Sequence, residues 1–260
     1  MPAPAAIPLA DDFARTFEIL IADTDELRAR VYRLRHRVFC DELGYELDSD
    51  GTLEADECDA QSIHCLLRHR ASGMDTGCVR LVLPLAGGGG LPFESYGLRY
   101  IDRKLFDWKQ IDSRHCCEIS RLAVASNFRR RSGEFNTSDG VVDINDGSAV
   151  DSFMRVRFPF IAVSLYHAAI ALVLQRNYGW TFMVVAPRLQ RHLQRYGVQI
   201  NQISPVFDYC GNRAVYVTTG EQFQREVNSW NGELQGLYGN VHQQLFGQPA
   251  QLLVQQPITG

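Results

Sequence analysis

The sequence predicts a mixed α/β (α+β) fold in which helices pack on one β-sheet. Three observations carry that expectation. Short runs of β-branched and apolar residues alternate with segments whose apolar residues recur at steps of three and four, the periods of strand and helix. One octet, Cys117 to Val124, is apolar enough to be a central strand, yet it carries Glu118 and Arg121. The longest apolar run, Phe158 to Leu174, contains Ser164, Tyr166 and His167. It suits a buried helix and falls short of the roughly 20 residues of a membrane span.

Taken in order, Phe17 to Ala22 reads as a short strand, and Asp23 is placed to cap the next helix, with Glu26 three residues on. In that helix Leu27, Val31, Leu34 and Val38 form an apolar stripe. Arg33 and Arg37 lie off the stripe, whereas Arg35 is one step from it and able to turn inward; Gly44 suits the helix end. Asp48 to Ala60 is acidic and polar and reads as a loop without the spacing of a calcium-binding EF-hand. Ser62–Arg68 and Thr76–Pro84 read as an antiparallel pair turning at Ala71-Ser72-Gly73. The four glycines Gly87 to Gly90 lack the flanking strand and helix of a phosphate-cradling loop. One short helix is expected before Ser113. Beyond the central strand, 132–151 has the composition of a mobile loop. A long buried helix then covers Met154 to Asn177, followed by a strand to Ala186 and a helix opened by Pro187. Val198–Phe207 and Arg213–Thr219 read as strands joined through Cys210-Gly211-Asn212. From Glu221 on, Phe223, Val227, Trp230, Leu234, Leu237 and Val241 mark one amphipathic helix. The domain reading is a flexible N-terminus (1–15), one domain (16–220) and a C-terminal helical extension (221–260).

Composition narrows the function classes. A net charge of -4 argues against bulk nucleic-acid binding. The seven cysteines are odd in number and show neither a Cys-x-x-Cys nor a Cys/His metal spacing. They read as reduced thiols of a cytoplasmic protein. Met1 to Ala10 has no basic region of the secretory kind. Neither a transmembrane segment nor a bound metal is expected, and the oligomeric state is left open.

The central octet holds the chemistry. A carboxylate and a guanidinium inside a strand cost several kcal/mol unless paired or bound to a ligand. A structural ion pair and a ligand-binding pair both satisfy that need. Residues three apart in a regular strand face opposite ways, so joint action on one ligand requires the strand to bulge or splay between Glu118 and Arg121. The other charged residues at the ends or insides of elements are Arg35, Arg80, Asp56 and Asp59, making three cations and three anions with the pair.

Those residues sit in recognisable motifs. The run Tyr32-Arg33-Leu34-Arg35-His36-Arg37-Val38-Phe39-Cys40-Asp41-Glu42-Leu43-Gly44-Tyr45 resembles the first motif of acyl-homoserine lactone (autoinducer) synthases. Asp56-Glu57-Cys58-Asp59 resembles their acidic pair, Arg80 their strand arginine, and Glu118-Ile119-Ser120-Arg121 their E-x-x-R. With Asp23-Thr24-Asp25-Glu26-Leu27, Leu43-Gly44-Tyr45-Glu46 and Tyr196-Gly197-Val198, the pattern resembles still more closely the PEP-CTERM/exosortase system-associated acyltransferases, which are similar to long-chain N-acyl amino acid synthases. The resemblance spans residues 15 to 220.

It implies a GNAT-like acyltransferase fold: a splayed mixed sheet flanked by helices, the acyl donor lying beside the central strand. It implies an N-acyltransferase that moves a long-chain acyl group from an acyl carrier protein thioester to the amine of an amino acid. Glu118 would assist deprotonation of that amine and Arg121 would act beside it. Arg35, Phe39, Tyr45, Asp56, Asp59, Arg80 and Ser120 would shape the acceptor side. Leu122, Ala123 and Val124 would meet the phosphopantetheine arm, and Arg129, Arg130 and Arg131 the carrier protein. No permanently bound cofactor is implied, and acyl-CoA is the alternative donor. Tyr45 stands where autoinducer enzymes commonly have Trp, which argues against a lactone product. Asn127-Phe128-Arg129-Arg130-Arg131 replaces the usual GNAT pyrophosphate loop, which suits a carrier-protein donor. The rival readings are a homoserine lactone synthase using S-adenosylmethionine and a non-catalytic acyl-carrier or lipid-binding protein.

Overall fold

The computed structural model describes residues 7–45, 47, 51–128 and 157–250. Helix α1 (Leu9–Thr16) leads into β1 (Phe17–Ile21) and α2 (Asp25–His36), which runs on as a π-helical turn (Arg37–Glu42). A 3₁₀ turn (Glu57–Gln61) precedes the hairpin of β2 (Ser62–His69) and β3 (Asp75–Val82). Short α3 (Pro92–Tyr96) precedes β4 (Cys116–Val124), and long α4 (Arg157–Gln175) precedes β5 (Trp180–Val185) and α5 (Pro187–Arg195). Strands β6 (Asn201–Gln202), β7 (Phe207–Asp208) and β8 (Asn212–Thr219) and helices α6 (Gly220–Ser229) and α7 (Gly232–Phe246) complete the chain. The carrier-contact candidates Arg129, Arg130 and Arg131 and the loop 132–151 lie outside the described residues.

The strands form one sheet in the order β1-β2-β3-β4-β5-β8-β6, with β7 paired to the start of β8. All pairings are antiparallel except β4 with β5. That parallel ladder is short: Cys116, Cys117 and Glu118 pair with Trp180, Thr181 and Phe182, and there it stops. A bulge lies on the other edge of β4. Ser120 pairs with Arg80 and Ala123 with Cys78, so Arg121 and Leu122 together oppose Val79. Arg121 takes a left-handed φ of 52°, which for a side chain of its size costs about 1–2 kcal/mol.

The sheet separates two layers. Side chains alternate along each strand. Cys65, Leu67, Val79, Leu81, Met183 and Tyr216 pack with α4 on one face. Leu66 and Cys78 pack under α2 on the other, and Val82, Phe182, Val215 and Val217 pack with α3 further along that same face. The α2 stripe behaves as its spacing requires, with Val31, Leu34 and Val38 buried. The cap differs from expectation. Thr24, not Asp23, is the N-cap, and its Oγ1 accepts the Leu27 N–H at 3.2 Å. The α4 core segment 161–173 is buried throughout, and no described helix is long and apolar enough to cross a membrane.

Three further expectations need correcting. Residues 9–15, read as part of a flexible N-terminus, belong to α1 (Leu9–Thr16). Phe13 is buried on it, a contribution of about 1.5–3 kcal/mol. The Leu9 N–H donates to Glu233 of α7 at 2.8 Å. The C-terminal amphipathic stretch is two helices, because Trp230 is extended and Asn231 caps α7 by accepting the Leu234 N–H at 3.0 Å. Val198–Phe207 holds only the two-residue β6 and the first residue of β7, since the intervening Ser204-Pro205 cannot ladder.

Gly77 of β3 sits where α4 presses on the sheet. A Cβ there would lie 2.8 Å from Leu165 Cδ1 and 2.9 Å from the Ala123 carbonyl oxygen. Gly77→Ala should therefore destabilise the fold by about 1–3 kcal/mol, read as a lower urea midpoint.

Candidate active site

The site is assembled from the last turn of α2 and the π-helical turn after it, the loop before β2, the middle of β3, the bulge of β4, and α3. On these elements three guanidiniums meet three carboxylates. Arg35, fully buried, donates through Nε to Glu54 and through Nη1 to Asp59 at 2.7 Å. Arg80, also fully buried, donates through Nη1 to both Asp56 and Asp59 at 2.6 Å, and through Nε to Ser120 Oγ at 3.0 Å. Arg121 donates through Nε to Glu54 at 3.0 Å and through Nη2 to Asp56 at 2.8 Å.

The acidic loop is shaped by the same groups. Asp56 is the N-cap of the 3₁₀ turn, and Asp59 returns the contact by accepting the Asp56 N–H at 2.8 Å. Burial acts to raise the carboxyl pKa of Asp59, but Arg35 and Arg80 outweigh it and hold the group well below the usual carboxylate range. Asp56 is lowered for the same balance of reasons, burial opposed by Arg80 and Arg121. His64 lies beside Asp59, yet burial pushes its pKa down to about 4 and leaves it neutral near pH 7.

The structure thus joins five of the six sequence-predicted charges and replaces the sixth. Glu54, not Glu118, is the third anion of the network. It is fully buried, but it lies in the polar loop, and nothing in its local pattern marks it. Glu118 stands apart. Its carboxylate accepts the Phe93 N–H at 2.7 Å and the Tyr96 hydroxyl at 3.3 Å, both from α3. Burial raises its pKa to about 7, against the Phe93 hydrogen bond and the charges of Arg80 and Arg121. A carboxylate with that pKa, carried on a strand that splays, is equipped for proton transfer near neutral pH.

A cleft opens where β4 and β5 diverge. On the α3 side it is lined by Tyr96, Glu118, Ser120, Arg121, Tyr209 and Arg213. On the α4 side it is apolar, with Leu122, Tyr166, Ile170, Met183, Leu193 and Phe223. Phe39 and Tyr45 line it too, their rings stacked at 6.3 Å. Of the three residues assigned to the donor arm, Leu122 reaches the cleft, whereas the side chains of Ala123 and Val124 are buried in the core. Sequence reasoning missed Tyr96, Tyr209 and Arg213. Tyr96 and Tyr209 stack at 3.9 Å beside Glu118, and both come from segments that carry no period. Among the described residues, no cluster of His, Cys, Asp or Glu is placed to hold a metal ion.

Comparison with known proteins agrees with this geometry. Residues 34–136 match the family model for an acetyltransferase (GNAT) domain. An acyl-homoserine-lactone synthase of Aeromonas salmonicida is 39% identical over 119 residues, covering 42% of this chain and 48% of that protein. One of Aeromonas hydrophila is 39% identical over 57 residues, covering 22% and 27%. The matches therefore span half or less of these curated relatives. Among solved structures, the AHL synthase LasI superposes with a TM-score of 0.55 at 18% identity, covering 92% of this chain and 98% of that one. FeeM, an N-acyl amino acid synthase from uncultured soil microbes, gives 0.53 at 13% identity, covering 81% and 93%. TofI, in a ternary complex with an inhibitor and MTA, gives 0.52 at 20% identity, covering 78% and 89%. The chain has the GNAT fold.

Two stability measurements follow. Arg35→Met leaves Glu54 and Asp59 short of a partner in a buried setting and should cost about 3–5 kcal/mol in denaturant titration. Glu118 has the opposite sign. Its folded pKa of about 7 lies above the ordinary 4.5, so the native state binds the extra proton, and stability falls as pH rises from 4.5 through 7. Glu118→Gln should be the more stable protein above pH 7, by up to about 3 kcal/mol, and should match wild type under acid conditions. Equal melting temperatures at pH 8.5 would show that the carboxylate carries no burial penalty.

Proposed function

We propose that this protein is an N-acyltransferase that moves a long-chain fatty acyl group from a carrier-protein thioester to the amine of an amino acid. The observation that carries this reading is Glu118: a fully buried carboxylate, outside the ion network, with a pKa near 7 at the gap between diverging strands. The cleft there is polar on one side of the sheet and apolar on the other, which suits a polar acceptor and a fatty donor meeting at the gap.

The chemistry uses few groups. An amine is a nucleophile only when neutral, and Glu118 accepts its proton directly or through one water. The amine nitrogen then bonds to the thioester carbonyl carbon. The negative charge that develops on the carbonyl oxygen needs donors. The edge of β4 beyond Glu118, no longer laddered to β5, presents backbone N–H groups. The intermediate collapses by breaking the C–S bond; the sulfur leaves with the electron pair, and the second proton of the nitrogen passes to it, so the products are the amide and a thiol. Arg35, Arg80 and Arg121 with their carboxylates hold the acceptor wall and the bulge. Arg129 to Arg131, just past β4 in sequence, are the proposed carrier-protein contact, with acyl-CoA as the alternative donor. The PEP-CTERM/exosortase association rests on the motifs between Asp23 and Val198.

The likeness to acyl-homoserine-lactone synthases favours a second reading, in which the acceptor is S-adenosylmethionine and the product a lactone. Tyr45 in place of the usual Trp favours the first. Mass spectrometry of lipid extracts from expressing bacteria separates them: an N-acyl amino acid supports the first, and an acyl homoserine lactone overturns it. In purified protein, kcat/KM should rise with pH through an inflection near 7, the range in which Glu118 ionises. Glu118→Gln should lower turnover by about 10²–10⁴-fold and abolish that inflection. Retention of full activity would remove Glu118 as the base.

A further inference from the structure

We propose that Arg213 is the anchor for a free α-carboxylate on the acceptor, so that the substrate is an α-amino acid held at both ends, amine toward Glu118 and carboxylate on Arg213. This rests on the N-acyltransferase reading above and narrows it to acceptors with an unblocked carboxylate.

Among the described residues, one carboxyl group and two guanidiniums line the cleft: Glu118, Arg121 and Arg213. Arg121 is committed to Glu54 and Asp56. Arg213 makes one long contact, to the Tyr45 hydroxyl at 3.5 Å, and among the described residues it has no carboxylate partner. A half-buried guanidinium without a counter-charge is the unmatched group of this cleft.

Its position suits the role. β8 pairs with β5 through Val217 with Phe182 and Val215 with Val184, and Phe182 pairs in turn with Glu118. Strand alternation therefore puts Arg213, Val215 and Val217 on the same side of the sheet as Glu118. Arg213 lies four residues along β8 from the level of Glu118, about 13 Å of strand, an interval that two long side chains and one amino acid can bridge. The groove that continues past Tyr45 is also lined by Arg213. A guanidinium fork matches the two oxygens of a carboxylate.

The contact also helps the chemistry. The carboxylate of a free amino acid stabilises its own ammonium. Pairing that carboxylate with Arg213 withdraws the stabilisation, so the amine gives its proton to Glu118 more readily. S-adenosylmethionine carries the same α-amino carboxylate, so the anchor serves either acceptor, and the product tells which is used.

The test uses the full-length protein with a palmitoyl-loaded acyl carrier protein. Acceptors are the proteinogenic amino acids, each beside its α-carboxamide, and S-adenosylmethionine. Thiol release gives rates and mass spectrometry gives products. For the acceptor used, the acid should exceed its carboxamide in kcat/KM by about 10–100-fold, the worth of a charged hydrogen-bonded contact. Arg213→Gln should bring that ratio toward one, mainly through KM, and Arg213→Lys should restore part of it. The ratio is internal to each preparation, so a loss of folded protein does not mimic the effect. Acylation of acid and carboxamide alike, or an unchanged ratio in Arg213→Gln, overturns the anchor and leaves the acyltransferase reading intact. No acylation of any acceptor overturns both. A lactone from S-adenosylmethionine overturns the acyl amino acid reading and moves the ratio test to that substrate and its carboxamide.

Discussion

Three guanidiniums pressed against three carboxylates beneath one face of the sheet set the terms for the rest of the site. Each ion loses water on burial at a cost of several kcal/mol, recovered only when its partners are in place. Arg35 comes from α2, Arg80 from β3 and Arg121 from β4, while Glu54, Asp56 and Asp59 all come from one loop. That loop has almost no apolar content and no core of its own, so the ion pairs are what order it against the sheet. Well-packed apolar residues would do as much for stability. What charge adds is orientation. Two carboxylates grip Arg121 and hold it at a backbone angle it would otherwise avoid.

That grip has a second consequence, felt at Glu118. An unpaired arginine beside a buried carboxylate would pull its pKa far down. Here Arg80 and Arg121 spend their charge on Asp56, Asp59 and Glu54, so their pull on Glu118 is weaker than the push of burial, and its pKa settles near 7. The network and the candidate base are therefore one device. Balanced charges next door keep the carboxylate from being either a permanent anion or a permanent acid. Tyr96 and the Phe93 N–H, both from α3, satisfy its oxygens without adding charge.

Much of this was legible in the sequence wherever a period or a spacing carried it. The α2 stripe, the β2–β3 pair and the long α4 came from apolar recurrence. Joint action of Glu118 and Arg121 on one ligand called for a bulge or splay between them; β4 does bulge, at Arg121 and Leu122, but Arg121 there pairs with Glu54 and Asp56. Pairing was less legible than placement. Glu118 looked like the third anion because it shares a strand with Arg121, but that strand hands the two residues to different neighbours. Glu54, Tyr96 and Arg213 act across 67, 22 and 168 residues of chain, to Arg121, Glu118 and Tyr45. No local pattern encodes such contacts. The missed α1 has the same cause: its one buried anchor, Phe13, is explained only by the sheet and the α7 helix it meets.

The short parallel ladder explains why the cleft lies where it does. β4 and β5 part after Glu118 and Phe182. Beyond that point the bulge at Arg121 turns one strand and Pro187, opening α5, ends the other soon after. The wedge passes through the sheet and joins its two layers. On the α4 side the walls come from elements far apart in sequence, Tyr166 of α4, Leu193 of α5 and Phe223 of α6, so α6 is part of the cavity wall. On the α3 side the walls are aromatic and charged. A ligand with an apolar tail and a ligand with charged ends would be sorted to opposite layers by hydration alone. They share only the gap itself, and Glu118 stands at its edge, outside the ion network.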